Sequence, residues 1–595
     1  MSEQPKKYAD WGLIKRVFGL AHPYRSIFAF AASLSIILAP VAVLRPYLVQ
    51  RTVDDCIIQS QGEGIGVMII LLVCVLLLQG VLFYMFSYST SWLGQSVIRD
   101  LRVRVFKHIN KLRLTYFDNT PIGTSTTRTI NDIETINTVF SQGVITIVAD
   151  VLTLIFVLSI MLYTSWSLTL VCLITLPLLI LATYWFKEAV KKAYQVVRTQ
   201  LSNMNAFLQE RITGMRIVQI FNAEEKELQG FQSINKAYTK ANLDSIFYYA
   251  LFFPMVEILS ASSLGLMVWY GAKGVISNDV TIGTLVAFPL YLGMLFRPVR
   301  MLADKFNSLQ MGLVAANRVF EVLDDKSMIK NKGQLQATKL KGDIKFKDVY
   351  FSYDQNAAVE DIDNWILKNV NFELNQGKTL AIVGGTGAGK STIINILNRF
   401  YEVHKGQILI DDTPIQEYEL LSLRSRIAIV LQDVFLFSGS VLDNITLKDK
   451  SISREQVISA AKLIGADRFI QQLPGGYDYQ VMERGATLSM GQRQLISFVR
   501  ALVFDPDILI LDEATSAIDP ETEGIIQYAI ERLISKRTSI IIAHRLSTIQ
   551  HADKIMVLHQ GEVAEIGSHQ NLLKIEGGHY RDLVETAYAL NSELD

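Results

Sequence analysis

A glycine-rich segment is the first candidate for chemistry in this sequence. Residues 384–391 read Gly-Gly-Thr-Gly-Ala-Gly-Lys-Ser, directly after the apolar run 379–383 and before a helical pattern over 392–400. Glycines let the backbone curl so that successive N–H groups point at phosphate oxygens, Lys390 adds a mobile positive charge, and the Ser391 hydroxyl can bind magnesium. The bare pattern is only moderately specific. Its position between a strand and a helix predicts a nucleotide site.

Two adjacent carboxylates, Asp512 and Glu513, follow the apolar run 508–511. Asp512, at the end of a buried strand, is well placed to help bind magnesium beside Ser391. Glu513, one residue further, points elsewhere and can polarise a water molecule for attack on the γ-phosphate. Acidic pairs at strand ends are also common on protein surfaces. That second interpretation would be preferred if the pair stood alone.

A third segment, Leu-Ser-Met-Gly-Gln-Arg-Gln at 488–494, precedes apolar residues at helical spacing. Ser489 is typical of a helix N-cap, and the free N–H groups and positive dipole end of such a helix make a second anion site. One domain does not need two such loops for one triphosphate. We therefore expect a site that two copies of the domain share.

The elements that must position these residues are those of a soluble α/β domain over 343–595. Strand-like runs at 344–353, 379–383, 427–430, 508–511 and 539–542 alternate with helical segments. The polar, lysine-rich stretch 327–342 is predicted to be a linker.

The first half of the chain has a different composition. Half of the 595 residues are hydrophobic, and the runs 26–44, 64–98 and 151–186 contain no charged residue. Because a bilayer core needs about 20 apolar residues of helix, we predict a transmembrane domain over 26–326, with six spans near 26–49, 65–91, 143–163, 166–186, 247–271 and 280–301. A large soluble core with buried helices is the alternative, and uncharged runs of this length disfavour it.

The charges of the loops predict the orientation in a cytoplasmic membrane. Basic residues are in excess after the second span, whereas the first short loop carries Asp54, Asp55 and Glu63 against Arg51. Positive loops stay in the cytosol, so we expect the ATP site and both termini there. Residues 1–25 are expected to form an amphipathic interfacial segment rather than a signal peptide.

The charge balance and the cysteines exclude other classes of function. The 57 basic and 57 acidic residues give no net charge, which argues against a nucleic-acid partner, and the three cysteines form no metal-binding pattern. Two carboxylates, Asp150 and Glu257, lie inside predicted spans. Either could contact a cationic substrate, although Asp150 is close enough to a span end to be solvated or paired to a neighbouring helix.

Together these motifs resemble a known family. The segment 384–391, Gln432 after a strand, the segment 488–492, the pair 512–513, Ser-Ala-Ile-Asp at 516–519 and His544 have the order and spacing of ABC-transporter ATPase domains. With six preceding spans, the chain resembles a bacterial ABC half-exporter of the multidrug and lipid-flippase type. The resemblance implies a type I exporter fold, with long cytosolic extensions of the membrane helices followed by a P-loop ATPase domain.

The resemblance also implies roles for individual residues. Tyr353 would stack on adenine, and Gln432 would meet magnesium and sense the γ-phosphate. Glu513 would be the catalytic base, and His544 would hold the γ-phosphate and the attacking water. The residues that would bind ATP are Tyr353, Gly384, Thr386, Gly387, Ala388, Gly389, Lys390, Ser391, Thr392 and Gln432, with Ser489, Gly491 and Gln492 on the ATP of the partner subunit. The residues that would bind Mg²⁺ are Ser391, Gln432 and Asp512.

The function so implied is ATP-driven export or flipping of an amphipathic small molecule, drug or lipid by a dimer. Met490 stands where the family most often has glycine, which leaves open a homodimer or a heterodimer with another half-transporter. Segments 117–123 and 221–227 resemble the coupling helices that dock on ATPase domains. A nucleotide-sensing channel or regulatory protein on the same fold is an alternative, disfavoured by Glu513. A dedicated peptide exporter is another, and we expect no protease domain before the first span.

Overall fold

The computed structural model describes residues 11–59, 64–328, 331, 333–354, 365–512, 520–543 and 549–592. The chain divides into two compact units. The first, here the membrane unit, comprises Met1–Lys111 and Thr120–Lys326, and the second, here the ATPase unit, comprises Leu112–Asn119 and Ser327–Asp595. One short helix from the first half of the sequence therefore belongs to the second unit.

The membrane unit is helical throughout its described part. Its helices are α1 (Trp11–Gly19), α2 (Arg25–Arg51), α3 (Ile65–Ile109), α5 (Ile122–Thr127), α6 (Ile133–Thr138), α7 (Val144–Thr164), α8 (Trp166–Leu173), α9 (Leu176–Thr213), α10 (Met215–Ile220), α11 (Glu224–Ile276) and α12 (Ile282–Asp324), while α4 (Leu114–Asn119) belongs to the ATPase unit. Tighter or wider helical turns at His22–Tyr24, Thr52–Gln59, Arg128–Asp132 and Val139–Gly143 connect several of them.

Five helical stretches among the described residues are long and apolar enough to cross a membrane. They are His22–Gln59, Ile65–Ile109, Ile122–Thr164, Trp166–Thr213 and Glu224–Ile276. The sixth predicted span falls on Ile282–Pro298, a shorter apolar stretch at the start of α12. The helices continue well past the predicted spans: α11 alone has 53 residues.

The packing of the membrane unit separates lipid-facing from internal side chains. Along α3 the large apolar residues Val67 and Leu77 are 71% and 65% exposed, whereas Leu93 is fully buried. Apolar side chains that face outward are expected where hydrocarbon replaces water. Phe186 of α9 stacks on Phe252 of α11 with ring centroids 4.0 Å apart, which holds these two long helices together.

The ATPase unit contains twelve strands in its described part. They are β1 (Ile344–Phe351), β2 (Leu367–Leu374), β3 (Thr379–Val383), β4 (Lys405–Ile410), β5 (Thr413–Pro414), β6 (Ile427–Val430), β7 (Gly439–Ser440), β8 (Gln480–Val481), β9 (Ile508–Asp512), β10 (Thr538–Ile542), β11 (Lys554–His559) and β12 (Glu562–Gly567). The accompanying helices are α13 (Lys390–Leu397), α14 (Leu420–Ser425), α15 (Val441–Thr446), α16 (Arg454–Leu463), α17 (Asp467–Gln472), α18 (Met490–Val503), α19 (Pro520–Ile534), α20 (His569–Leu572) and α21 (His579–Ser592).

Two main sheets and the two-stranded sheet β7-β8 build the described part of this unit, with α13 in the core between the main sheets and α18 in the core on the other face of the central sheet. The central sheet has the order β12-β11-β3-β10-β9-β6 and is parallel except for β12, and a second, antiparallel sheet has the order β2-β1-β4-β5. Side chains alternate along each central strand. On β3, Leu380 and Ile382 join the core shared with the second sheet, while Ala381 and Val383 join the core shared with α18 and its neighbours.

The predicted strands are present with small changes at their ends. The first ends at Phe351, so Tyr353 lies beyond it rather than inside it. The helix predicted over 392–400 begins at Lys390 and ends at Leu397. An αL residue, Arg399, follows two residues later, and its buried side chain bonds to the carbonyls of Ile415 and Tyr418, which fixes the chain leaving the helix.

Candidate functional site

The glycine-rich segment forms the turn between β3 and α13. Gly384 has a φ of +150°, and a Cβ at this position would lie 2.2 Å from the carbonyl oxygen of Leu558. Gly389, the residue before α13, has a φ of +103°. Both positions therefore require glycine. No side chain caps the first turn of α13, so no capping bond competes with an anion for its backbone N–H groups.

Lys390 is the cation of this turn and is nearly buried, with 9% of its surface exposed. Its ammonium group donates to the carbonyl oxygens of Gly384 at 2.8 Å and Gly385 at 3.0 Å. Burial lowers the pKa of Lys390, and the Asp512 carboxylate acts in the opposite direction. The same turn places the Ser391 side chain on the exposed side and that of Ala388 on the buried side.

The sheet brings the other phosphate-site candidates to the same edge. Ile542 of β10 pairs with Ile382 of β3 on one side and with Asp512 of β9 on the other, so the three lie level. Gln432 follows β6 by two residues, next to β9. These positions all lie at the carboxyl ends of parallel strands, where ligands bind in open α/β sheets.

The oxygen atoms at this edge of the sheet fit a magnesium ion that takes its remaining ligands from phosphate. Ser391, Gln432 and Asp512 offer a hydroxyl, an amide and a carboxylate oxygen, which are the hard ligands that Mg²⁺ prefers. No group of three or more His, Cys, Asp or Glu side chains in the described ranges could hold a metal. One carboxylate is nevertheless the usual protein contribution where a nucleotide supplies further oxygens.

Tyr353 lies beside α13 with 41% of its surface exposed. Its hydroxyl is 3.2 Å from Thr392 Oγ1 and accepts from Asn395 Nδ2, also at 3.2 Å. Thr392 is buried, so its hydroxyl is directed at this tyrosine. The half-exposed ring of Tyr353 can offer a face to a planar base.

The predicted N-cap at Ser489 is present, and it is one half of a reciprocal capping box. Ser489 Oγ accepts from the backbone N–H of Gln492 at 3.2 Å, and Gln492 Oε1 accepts from the N–H of Ser489 at 3.0 Å. Ser489 and its hydroxyl are exposed, whereas Gly491 is buried against the rest of the unit. The side-chain oxygen of Gln492 is thus bonded to its own helix.

Met490, the departure from the family's usual glycine, lines a small polar cavity. The cavity has a volume of about 160 Å³, and its walls include Gln432, Arg484 and Gln494. Gln494 is 3% exposed, and its Oε1 is buried without a hydrogen-bond partner among the described atoms. The cavity lies between the residue proposed to sense the γ-phosphate and the helix proposed to reach the partner's ATP.

Three parts of the predicted site lie outside the described residues. They are the base candidate Glu513, the segment 516–519 that includes Asp519, and His544. The strands that lead to them are described: β9 ends at Asp512, and Ala543 follows β10. Their roles therefore stay predictions.

The membrane unit contains a separate apolar groove between α2 and α7. It has a volume of about 500 Å³ and is lined by Leu44 and Tyr47 from α2 and by Phe156, Ser159 and Tyr163 from α7, among others. Arg51 Nε donates to the Tyr47 hydroxyl at 3.1 Å. The lining is therefore mostly apolar, and Tyr47 is its residue nearest to the end of α2.

The two carboxylates predicted inside spans have partners. Asp150 of α7 forms an ion pair with Lys305 of α12, so pairing with a neighbouring helix accounts for it. Glu257 is exposed and also has an interaction partner. The sequence interpretation passed over two arginines, Arg45 in α2 and Arg297 in α12, which lie inside the predicted spans. Because both signs of charge occur, these helices do not favour a cationic cargo.

The two segments that resemble coupling helices differ in their surroundings. Phe221, after α10, is 73% exposed in its unit, and its docking stays a prediction. Helix α4 groups with the ATPase unit, where the hydroxyl of Tyr401 donates to Asp118. Asp118 lies in the segment 117–123 that resembles a coupling helix, whereas Tyr401 belongs to no motif, so no pattern in the sequence pairs the two.

Comparison with known families matches both halves of the chain. Residues 28–299 match the model described as the ABC transporter transmembrane region, and residues 367–516 match the model described as ABC transporter.

Relatives match over nearly the whole length. An uncharacterised ABC transporter ATP-binding protein of Bacillus subtilis, YknV, is 38% identical over 98% of this chain and 96% of its own. An ATP-dependent lipid A-core flippase of Desulfotalea psychrophila is 35% identical over 95% of this chain and 98% of its own. A candidate multidrug export ATP-binding/permease protein of Bacillus subtilis, YgaD, is 35% identical over the same shares.

A solved structure agrees with the fold. A bacterial Atm1-family ABC exporter with ATP bound superimposes with a TM-score of 0.76 and is 30% identical, over 95% of this chain and 98% of that one. The chain therefore belongs to the ABC transporters in which an N-terminal membrane region is fused to an ATPase domain, and it couples ATP hydrolysis to export across a membrane.

Proposed function

We propose that the chain exports or flips an amphipathic molecule, a drug or a lipid, across the cytoplasmic membrane. The observation that carries this proposal is the groove between α2 and α7, which has a volume of about 500 Å³, a mostly apolar lining and the Tyr47 hydroxyl with Arg51 bonded to it. A groove of this kind suits an alkyl chain or an aromatic body with a polar end. The names of the flippase and multidrug relatives support the same class of cargo.

We propose that the site for each ATP is made by two chains. One chain would supply the turn from Gly384 to Ser391, with Thr386, Gly387, Ala388 and Gly389 along it, and would hold the base on Tyr353 beside Thr392. The partner, a second half-transporter, would supply Ser489, Gly491 and Gln492. The support is geometric: α13 begins with an uncapped first turn and an exposed Ser391, and α18 begins with an exposed Ser489.

For hydrolysis we propose that Lys390 leaves the carbonyls of the turn for the β- and γ-phosphates. Mg²⁺ held by Ser391, Gln432 and Asp512 would neutralise phosphate charge when bound. Glu513 would accept the proton of the attacking water, and His544 would orient that water and the γ-phosphate. We propose that ATP binds the closed dimer more tightly than the open dimer. Binding would then shift the equilibrium toward the closed dimer, to an extent set by the difference between the two affinities.

We propose the domain limits 1–25, 26–326, 327–342 and 343–595, with α4 associated with the ATPase. We also propose that both termini and the ATPase domain lie in the cytosol, because the loops after the second span are basic.

The test of the cargo class uses amphiphiles that share a tail. The purified full chain in liposomes is assayed for ATP hydrolysis with dodecyl compounds that carry an ammonium, a phosphate or a maltoside head. We expect stimulation by amphiphiles and none by tetramethylammonium, inorganic phosphate or maltose at equal concentration. Stimulation by head groups alone would contradict an amphipathic cargo.

The groove itself is tested by filling it. Leu44, which lines the groove, is 42% exposed, and Ile37, two turns earlier on α2 and not in the lining, is 48% exposed. We expect Leu44→Trp to weaken stimulation several-fold while basal hydrolysis is retained, and Ile37→Trp to leave both unchanged. Equal effects of the two variants would show that the groove does not receive the cargo.

A further inference from the structure

Helix α4 is anchored at its start to the segment that leads into the ATPase domain. The backbone N–H of Arg113 donates to the carbonyl of Ser327 at 2.9 Å, and Arg113 Nε donates to that of Met328 at 3.0 Å. Leu112 forms a bridge with Met328, and Leu112 and Tyr116 are 6% and 8% exposed. The beginning of the helix is therefore fixed within the ATPase unit.

The end of α4 is held by Tyr401, which follows α13 in the chain. Tyr401 is 6% exposed, and its hydroxyl donates to the Asp118 carboxylate. Burial, followed by this hydrogen bond, raises the pKa of Tyr401, so the phenol keeps the proton that it donates. A hydrogen bond to a charged acceptor is stronger than one between neutral groups.

The ring of Tyr401 lies against the tyrosine proposed to stack on the base. The centroids of Tyr401 and Tyr353 are 5.1 Å apart and their planes are at 89°, the edge-to-face arrangement that aromatic pairs favour. Phe351 meets Tyr353 in the same way at 5.0 Å and 86°. The hydroxyl of Tyr353 is held separately by Thr392 and Asn395 of α13.

We propose that Asp118 is a positioning residue for the nucleobase, acting through Tyr401 on the ring of Tyr353. The hydrogen bond from Tyr401 to Asp118 fixes the orientation of the Tyr401 ring, and this ring forms one wall against Tyr353. Without the carboxylate, the Tyr401 hydroxyl loses this hydrogen bond, and the ring of Tyr353 loses a neighbour of fixed orientation. This inference rests on the proposed role of Tyr353 in stacking on adenine.

The consequence is an effect on binding of the base that does not extend to the phosphates. The turn from Gly384 to Lys390 would bind phosphate through backbone N–H groups and the Lys390 ammonium, whose described partners are Gly384, Gly385 and Asp512. Weakening the Tyr401 bond should therefore raise KM for ATP and leave kcat and the affinity for a phosphate chain alone as they are.

The test measures basal hydrolysis by the full chain in liposomes, with magnesium tripolyphosphate as a competitive inhibitor that lacks a base. We expect Asp118→Ala and Tyr401→Phe each to raise KM for ATP by roughly three- to tenfold, with kcat within about twofold. The inhibition constant of tripolyphosphate should not change. Because the two residues act through one bond, the double variant should be no worse than either single variant.

Three further variants make the result specific. Asp118→Asn keeps an oxygen acceptor and should restore most of the affinity. Asn119→Ala is the matched control, because Asn119 is exposed on the same helix and its side-chain amide donates to the carbonyl of Thr115 in that helix. Tyr353→Leu should raise KM for ATP at least as much as Asp118→Ala.

The possible failures can be told apart. If Tyr353→Leu leaves KM for ATP unchanged, the proposed stacking role fails. If Tyr353→Leu raises KM and Asp118→Ala does not, only the inference on Asp118 is overturned. A matching rise in the inhibition constant of tripolyphosphate, or additive effects in the double variant, would also overturn it, because the damage would then be general or the two residues independent.

Discussion

Two helices of the ATPase unit begin at candidate phosphate sites, and their first turns are built differently. At α13 the residue before the helix is Gly389, which has no side chain to cap the helix, and Lys390 bonds to carbonyls of the preceding turn. At α18 the capping box formed by Ser489 and Gln492 bonds two N–H groups within the same helix. The first turn of α13 is thus open to an anion, whereas the N–H groups of Ser489 and Gln492 at the start of α18 are already bonded.

The difference indicates what each helix can offer to a nucleotide. An uncapped turn offers backbone N–H groups, which can surround a phosphate. A serine that accepts a capping bond still has its own O–H to donate, so α18 presents one hydroxyl on a rigid frame together with the positive end of its dipole. Helix α13 is therefore suited to surround a phosphate, and α18 is suited to contact the same phosphate from the partner chain.

The largest effects should come from variants that disable each helix separately. Lys390→Ala removes the cation of one site, and Ser489→Asp keeps an N-cap but replaces the donor O–H with a negative charge. We expect each variant alone to lose roughly 10²-fold or more of ATP turnover, comparable to loss of a group that stabilises transition-state charge. Purified chains in liposomes provide the measurement.

Co-expression of these two variants tests whether one site is shared between two copies of the chain. A mixed dimer would contain one site with an intact α13 from the Ser489→Asp chain and an intact α18 from the Lys390→Ala chain. Random pairing should then restore about a quarter of wild-type turnover. No recovery, with mixed dimers shown by affinity tags on each chain, would contradict a site made by two copies of this chain.

A smaller loss of about 10²-fold is expected for Glu513→Gln, because the variant removes general-base help while keeping the shape of the side chain. Binding of ATP should persist, since neither α13 nor α18 is changed. Equilibrium binding of a fluorescent ATP analogue and steady-state turnover measure the two properties. Wild-type turnover in this variant would remove Glu513 as the base.

Much of this comparison could be predicted from the sequence because it depends on local signals. Glycines in a fixed pattern between a strand and a helix predicted the turn before α13, and a serine before an apolar helical pattern predicted the cap at Ser489. The reciprocal bond from Gln492 follows from the same pattern of serine and glutamine three residues apart. The strand at Leu367–Leu374 also has apolar residues at alternate positions, Val370, Phe372 and Leu374, and all three are buried.

Other features depend on contacts that local patterns do not encode. Asp118 and Tyr401 are separated by 283 residues, and the grouping of α4 with the ATPase unit depends on the path of the whole chain. The ion pair between Asp150 and Lys305 joins two helices whose register the hydropathy does not specify. The expected continuation of the membrane helices past their spans is confirmed, since α11 alone has 53 residues.

A moderate effect is expected when α18 loses both the capping oxygen and the donor O–H of Ser489. Ser489→Ala removes both, whereas Ser489→Thr keeps both. We expect Ser489→Ala to lose about 1 kcal/mol of stability, a typical value for an N-cap, and to reduce turnover by roughly tenfold. Ser489→Thr should remain near wild type in both. If Ser489→Ala matches wild type in turnover at temperatures where it is fully folded, the hydroxyl does not contact ATP.

The smallest effect is expected for Met490→Gly, which restores the family's usual residue at the first position of α18. Methionine lines the 160 Å³ cavity with Gln432 and Gln494, so glycine would enlarge that cavity and add backbone freedom at a helix end, at a cost of about 1 kcal/mol or less. The hydroxyl of Ser489 and the N–H groups of the first turn stay in place. Turnover should therefore change by less than about threefold, measured beside thermal unfolding of the same preparation. A much larger gain in turnover would mean that the methionine side chain obstructs the partner's ATP. The start of α18 would then be the part of the shared ATP site that limits hydrolysis.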